Sequence, residues 1–271
     1  MKVFYAGDLV SSPGRLAFLR MAAGLRESEP DIFALANAEN AAGGNGLTPS
    51  LAQELLSRGA DGLSLGDHAW DKKELYPFLE EEYRLVRPAN YPKICPGRGW
   101  TFLERGEQRI CLISLVGRVF MPPSDCPFRT VDEILEKPQV KQATVKIVDF
   151  HAEATSEKIC MGRYLAGRVS AVLGSHTHVQ TADERILGGA TGYISDLGMT
   201  GPADSVLGRQ YEPVLCRIMT GMPAKFDVQK KGAFQCEGVL LEIDATTGAC
   251  RSIERVQRIM EGKGGQGVQD D

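Results

Sequence analysis

The chain carries only four histidines, and each stands just past a short apolar run. His68 follows "LSLGD", His151 follows "KIVDF", and His176 and His178 follow "AVLGS" with one residue between them. Oxygen donors occupy equivalent places: Asp8 after "VFYAG", Glu39 and Asn40 after "IFALANA", and Asp67 after "LSLG". Imidazole is the commonest metal ligand and a natural acid or base near neutral pH. Imidazoles, carboxylates and an amide without thiolates suit iron, manganese or zinc. Six or seven such donors exceed what one tetrahedral zinc takes, so the count favours two ions. One carboxylate can bridge such a pair and leave room for a shared hydroxide. Taken singly, an Asp after a strand is a turn or helix cap and a lone His is a satisfied polar residue. Recurrence at successive strand ends is what argues for a site. The i, i+2 spacing of His176 and His178 lets one short segment serve both ions.

The elements that must position these residues alternate along the chain. "KVFYAG" (2 to 7) reads as a buried strand, and Ser12 before Pro13 marks a helix start. Strand "DIFALANA" (31 to 38) leads through a Gly-rich loop to a helix with Thr48 as N-cap and Pro49 in its first turn. Strand "GLSLG" precedes the helix "DKKELYPFLEEE", and strands "RICLISLV", "TVKIVDF" and "VSAVLG" follow. This grammar implies an α/β layered fold with a largely buried sheet. From residue 224, "AKFDVQ", "FQCEGVLLEID" and "ACRSIERVQRI" alternate between Gly-containing turns, which reads as antiparallel strands. Open α/β sheets bind ligands beyond the C-terminal ends of their strands, where every residue named above falls.

Composition removes other classes. A hydrophobic content of 43% with 24% charged residues is that of an ordinary globular protein with a full core. With no repeat or low-complexity linker near the middle, residues 1 to 260 read as one domain, and the Gly-rich 261 to 271 as a flexible tail. A net charge of −4 with dispersed Lys and Arg argues against stable nucleic-acid binding. Nothing approaches a membrane span, and the N-terminus reaches an acidic residue too early for a signal peptide, so a cytoplasmic location is expected. The seven cysteines form no CxxC pair and read as reduced packing residues.

"GDLVSSPGR", "AENAAGGNGLTP", "LGDHAWDKKE", "RPANYP", "VDFHAEATSEK", "GSHTHVQTADERI" and "DLGMTGPADSVLG" together resemble the YmdB-type metallophosphoesterases over almost the whole chain. The resemblance implies a calcineurin-like metallophosphoesterase sandwich, an α/β fold of two β-sheets flanked by helices. It implies a two-metal centre, divalent or mixed-valence and usually iron, with manganese or zinc as alternatives, and hydrolysis of 2′,3′- and 3′,5′-cyclic nucleotides. Carried over by position, it places Asp8, Asn40 and His178 on one ion, Asp67, His151 and His176 on the other, and Glu39 between them. His68 would protonate the leaving oxygen after attack by a bridging hydroxide. Two departures stand out: "DLV" lacks the histidine of the broader Asp-x-His motif, with Asn40 as substitute, and "GDH" puts Asp67 where the family has Asn.

Other segments speak less specifically. In "GRVFMPPSDCPFRT" (117 to 130), Arg118 or Arg129 could meet phosphate while Phe120 and Met121 cover a base, or the segment could pack a sheet edge or subunit interface. "AAGGNG" lacks the Lys and Ser/Thr of a P-loop and reads as glycine letting backbone approach the metals. Trp70 and Trp100 read as packing residues. Three functions fit this pattern, each compatible with a homo-oligomer: a cyclic-nucleotide phosphodiesterase acting on a small molecule, a phosphomonoesterase or RNA-end phosphodiesterase using the same centre, and a regulatory scaffold with a structural metal site. An unliganded histidine at the mouth, His68, speaks for the first two.

Overall fold

The computed structural model describes residues 1–261; the tail expected over 261 to 271 falls, but for its first residue, outside the described residues. In chain order the strands begin β1 (Lys2–Ala6), β2 (Asp8–Leu9), β3 (Phe33–Asn37), β4 (Gly62–Ser64), β5 (Leu85–Val86), β6 (Trp100–Arg105) and β7 (Gln108–Val116). They continue β8 (Val145–His151), β9 (Ala171–Ser175), β10 (Arg185–Leu187), β11 (Thr191–Ile194), β12 (Met199–Pro202), β13 (Phe234–Ile243) and β14 (Cys250–Met260). The helices are α1 (Ser11–Ser28), α2 (Pro49–Arg58), α3 (Leu75–Glu81), α4 (Pro127–Leu135), α5 (Pro138–Lys141), α6 (Thr155–Tyr164) and α7 (Tyr211–Thr220).

One sheet runs β2-β12-β13-β1-β3-β4-β5 with β14 beside β13, and the other runs β10-β11-β9-β8-β7-β6. The neighbours β1, β3, β4 and β5 are parallel, as are β7, β8, β9 and β11. Alternation along each strand then decides the layers. Val3, Tyr5, Phe33 and Leu35 face Leu112, Ile147 and Leu173 in the core between the sheets. Phe4 and Ala34 turn outward onto Ala17 and Phe18 of α1 and Leu55 of α2. On the other side Ile113 and Val148 meet Val131 of α4 and Met161 of α6. Helix, sheet, sheet and helix therefore form four layers, the expected sandwich of two sheets flanked by helices.

Local chemistry sets the boundaries. The Thr48 hydroxyl accepts the Leu51 N–H at 3.3 Å and caps α2, with Pro49 in its first turn. Helix α1 begins at Ser11 rather than Ser12, behind Val10, with no side-chain cap. The stretch read as one helix from Asp71 to Glu82 shortens to α3, and a 3₁₀ turn, Asp67–Trp70, precedes it. The last two strands pair antiparallel as expected, but "AKFDVQ" is not a strand: it makes one isolated bridge, Val228 to Arg209. Its Asp227 carbonyl accepts from Gln210 N–H, so it pairs with that loop and not with a sheet. All seven cysteines are free, yet only Cys111, Cys236 and Cys250 are buried, while Cys160 and Cys216 are exposed. No helix among the described residues is long and apolar enough to cross a membrane.

Between the sheets, one polar cluster interrupts the apolar core. Asp149 of β8 is fully buried; its Oδ2 accepts from the Ser64 hydroxyl, Asn37 Nδ2 at 3.1 Å and Tyr5 hydroxyl at 3.3 Å, and its Oδ1 from Ser175 hydroxyl at 2.6 Å. An amide at 149 can accept on one side only, so its NH₂ would oppose a donor. Asp149→Asn should therefore lower unfolding free energy by about 2–4 kcal/mol, measured by denaturant titration, the cost of one or two buried donors left unmatched.

Candidate metal centre

The polar residues that end β1, β3, β4, β8 and β9 converge at one edge of the sandwich. Glu39, Asp67, His151 and His176 each offer a ligand atom within 4.8 Å of one another. Asp8 adjoins them, its Oδ2 accepting the His176 N–H at 3.1 Å. Asn40 Nδ2 lies 3.3 Å from both Glu39 Oε1 and His178 Nε2. His68 stands beside them, its backbone N–H donating to Glu39 Oε2 at 3.0 Å. The structure thus gathers all eight candidate residues into one contiguous group.

Proton accounting identifies what this group needs. The Ser175 hydroxyl gives its single hydrogen to Asp149 at 2.6 Å, so toward His151 Nδ1, at 2.9 Å, it accepts. Nδ1 therefore carries the hydrogen, and the ring in its neutral form presents an Nε2 lone pair. Around that nitrogen stand Asp67 Oδ1 at 2.9 Å, Glu39 Oε1 at 3.0 Å and His176 Nδ1 at 3.0 Å. Acceptors facing acceptors call for a cation. Asp8 Oδ1, buried and without a hydrogen-bond partner, lies 3.8 Å from His151 Nδ1 and adds another lone pair beside the cluster. Asn40 contributes its amide oxygen if its side chain is turned over, an exchange that leaves the shape unchanged. Donors of this kind fit divalent metal ions, and no thiolate competes.

Burial alone would lower the basicity of His151, but the carboxylates of Glu39, Asp67 and Asp8 more than offset it and hold its pKa well above the ordinary value. At His68 burial likewise lowers, while Glu39, Asp67 and Asp71 raise, with a net upward shift. His68 Nδ1 lies 2.8 Å from Asp71 Oδ2. Asp67 does not swing away to cap a helix: its carboxylate stays on His151 and, at 3.4 Å, on His176, whose hydrogen bonds outweigh burial and hold it well below the usual carboxylate range. The Gly66 before it is needed for space, since a Cβ there would come within 2.2 Å of the His151 ring.

The loop carrying His176 and His178 is strained, with φ of 101° and 64°. Thr177 between them is held by Asp196, whose Oδ2 accepts Thr177 N–H at 3.0 Å and the Thr177 hydroxyl at 2.7 Å. The same oxygen accepts from Lys158 Nζ at 2.7 Å, and both partners of this ion pair are buried. Sequence reasoning missed Asp196 and Lys158, as it missed Glu153, whose Oε2 lies 3.3 Å from His176 Nε2. A second acidic residue two places past His151 was the available signal. Two glycines of "AAGGNG" serve packing: a Cβ on Gly44 would meet Arg209 at 2.7 Å, and one on Gly46 would meet Lys72 at 2.8 Å, while Gly43 has open space and a positive φ of 61°.

The group opens into a cavity of about 420 Å³ whose lining includes Glu39, His68, His176 and His178 together with the apolar Val206, Leu207, Val214 and Phe226. Arg118, Phe120, Met121 and Arg129 are not part of this lining. Trp70 packs on Tyr76 and Tyr91 at 5.8 and 5.4 Å, as a packing residue should.

Two packed sheets with a metal-fitting cluster at the strand ends make this a metallophosphoesterase-type sandwich. A putative 5′-nucleotidase of Staphylococcus aureus shares the fold, with a TM-score of 0.58 at 13% identity over 94% of this chain and 54% of that one. The model of the YmdB-like protein family matches residues 4–256, and the chain belongs to that family. It is 43% identical over 94% of its length, and 96% of the relative's, to a 2′,3′-cyclic-nucleotide 2′-phosphodiesterase of Bacillus subtilis. The crystal structure of a novel phosphatase from Mycoplasma pneumoniae superposes with a TM-score of 0.89, at 30% identity over 97% of this chain and 95% of that one. The protein is a hydrolytic phosphoesterase.

Two outcomes are expected. Asp196→Asn leaves Lys158 buried without a full charge partner and loosens Thr177. It should cost about 3–5 kcal/mol of stability and weaken metal binding roughly 10- to 100-fold by calorimetric titration. Adding Lys158→Met should recover stability but not metal affinity. Separately, His68 and His151 have folded pKa values above the unfolded 6.5. Their stabilisation is complete below pH 6.5 and lost as pH rises through the folded values. In chelated protein Tm should therefore fall on the order of 5 °C above pH 6.5, and divalent metal should remove that slope.

Proposed function

We propose that this protein is a metal-dependent phosphodiesterase of cyclic nucleotides, 2′,3′-cyclic and/or 3′,5′-cyclic. The observation that carries this reading is the ring of lone pairs around His151 Nε2, two of whose members, Glu39 and His176, line a cavity that also holds apolar residues. On this reading two ions, most simply iron with manganese or zinc as alternatives, are held by Asp8, Asn40 and His178 and by Asp67, His151 and His176. Glu39, whose Oε1 is within 3.3 Å of both Asn40 and His151, stands between the two sets. When bound, such ions supply Lewis acidity toward phosphate and make water nucleophilic near neutral pH. The relative from Bacillus subtilis bears the name of a 2′,3′-cyclic activity, which supports the substrate class.

The chain's own groups account for the rest. His151 is locked as the Nδ1–H tautomer by Ser175, so its Nε2 is directed inward. His178 Nδ1 donates to the Leu207 carbonyl at 3.3 Å, which leaves its Nε2 toward Asn40. His68 lines the cavity and is not in the cluster of close donors. Protonated, it donates Nδ1–H to Asp71 and keeps Nε2–H for the departing ribose oxygen. The neighbouring carboxylates favour that protonated form.

His68→Ala tests the reading. It should keep the metal content of the wild type, by elemental analysis, while turnover of cyclic nucleotides falls about 10²- to 10⁴-fold. Loss of metal in that variant would place His68 among the ligands. A metal-loaded wild type that cleaves phosphomonoesters but no cyclic diester would overturn the substrate assignment.

A further inference from the structure

The apolar side of the cavity has a construction that catalysis at phosphorus does not require. Val206 and Arg209 exchange backbone hydrogen bonds at 2.8 and 2.9 Å, closing a two-residue hairpin over Leu207 and Gly208. Both inner residues have positive φ, 51° and 90°. Turns of this type favour Asn-Gly or Gly-Gly, because only such residues reach that region readily. Here the first place is taken by leucine, which is 49% exposed and lines the cavity. A strained backbone carrying an exposed apolar side chain is explained neither by turn chemistry nor by core packing.

The hairpin is braced against both the donor cluster and the segment that carries Phe226. The Leu207 carbonyl accepts from His178 Nδ1. Arg209 donates through its guanidinium to the Phe226 carbonyl at 3.0 Å and the Gly44 carbonyl at 2.7 Å, and also to Asn45 Oδ1. Gln229 N–H donates to the Gly208 carbonyl at 2.9 Å, tying the Phe226 segment to the same turn. Leu207 and Phe226 are thus held at fixed places beside the donor cluster, with Val206 and Val214 in the same lining. Small-molecule pockets combine an apolar wall with a few placed polar groups, and about 420 Å³ falls within their usual range.

We infer that Leu207 and Phe226, with Val206 and Val214, form a nucleobase subsite, and that Arg209 positions its walls. The occupant is the flat, largely apolar face of a purine or pyrimidine attached to the phosphoester that the donor cluster holds. This inference rests on the phosphodiesterase reading for the chemistry at phosphorus, while the base contacts are read from the wall itself.

The test compares a ligand with and without a base. Metal-loaded wild type is titrated calorimetrically with adenosine 3′-monophosphate and with methyl riboside 3-phosphate, and each result is set beside turnover of the matching 2′,3′-cyclic phosphates. The nucleotide should bind about tenfold tighter than its base-free counterpart, the usual worth of one base on an apolar platform. Leu207→Asn suits the positive φ, keeps the backbone carbonyl for His178 and removes the apolar wall. It and Phe226→Ala should each shrink that ratio roughly three- to tenfold, leaving affinity for the base-free phosphate unchanged. A wild type without preference for the base, variants that retain the full ratio, or variants that lose both ligands alike would overturn the subsite. If the preference and its loss are seen but no cyclic nucleotide is hydrolysed, the subsite stands and the phosphodiesterase reading falls.

Discussion

A carboxylate sealed between two sheets governs the rest of this structure. Burial pushes the Asp149 carboxyl up, and the nearby His151 and the donors Ser175, Ser64 and Asn37 only partly pull it back. Its hydrogen-bond donors belong to β1, β3 and β4 of one sheet and to β9 of the other. Hydrogen bonds to a charged acceptor are worth about 1.5–3 kcal/mol each, so registering the two sheets is favoured over letting them slide. The same carboxylate decides the Ser175 hydroxyl, and Ser175 decides the tautomer of His151. Orientation is thus transmitted from the sheet interface outward to the donor cluster, as conserving a ligand's direction demands of its supporting shell.

Strain gathers at the edge that this interface supports. Among the described residues, five that are not glycine have positive φ: Ser11, Phe120, His176, His178 and Leu207. Four of them touch the centre. Ser11 N–H donates to the Asn40 carbonyl at 3.0 Å, His176 and His178 are candidate ligands, and Leu207 meets His178 through its carbonyl. Such backbones persist only where their surroundings over-determine them. Asp196 with its buried partner Lys158 does so for Thr177, and Arg209 does so for the Leu207 hairpin. The fifth, Phe120, lies in the loop before α4, outside the cavity lining.

This division explains what could be read from the sequence. Residues such as Glu39, Asp67 and His176 were legible because rare, reactive side chains recur just past apolar runs, where α/β sheets place ligands. The supporting shell was not. Asp149, Ser175 and Asn37 sit inside or at the ends of runs that otherwise read as core strand, and a single polar residue there carries no signal of its partners. Lys158 lies in a helix where lysine ordinarily faces water, yet it is buried. Short alternation misled at "AKFDVQ", whose backbone pairs with a loop, and β6 went unread before its stronger neighbour β7. Leu207 and Phe226 come from the last quarter of the chain and reach the cavity only through the fold, with "LG" as the sole local sign of a turn.

The charges around the cavity tie its two halves together. Its lining holds one arginine and no lysine, and that arginine spends its guanidinium on the carbonyls of Gly44 and Phe226 and on Asn45. The candidate phosphate-binding arginines at 118 and 129 lie outside the lining. Meanwhile Glu39 at the floor of the cavity, with Asp8 and Asp67 beside it outside the lining, concentrates negative charge there, in a chain whose net charge is already −4. A phosphodiester entering such a floor is repelled unless cations are there first, because bound ions become the largest local charges. On the proposed reading, anion affinity and metal affinity are therefore coupled: the factor by which bound ions tighten the phosphate is the factor by which bound phosphate tightens the ions. The apolar wall stands outside that linkage. It can select a ligand by its base, while recognition of the phosphate is delegated to the ions and hence to the shell that Asp149 and Asp196 hold in place.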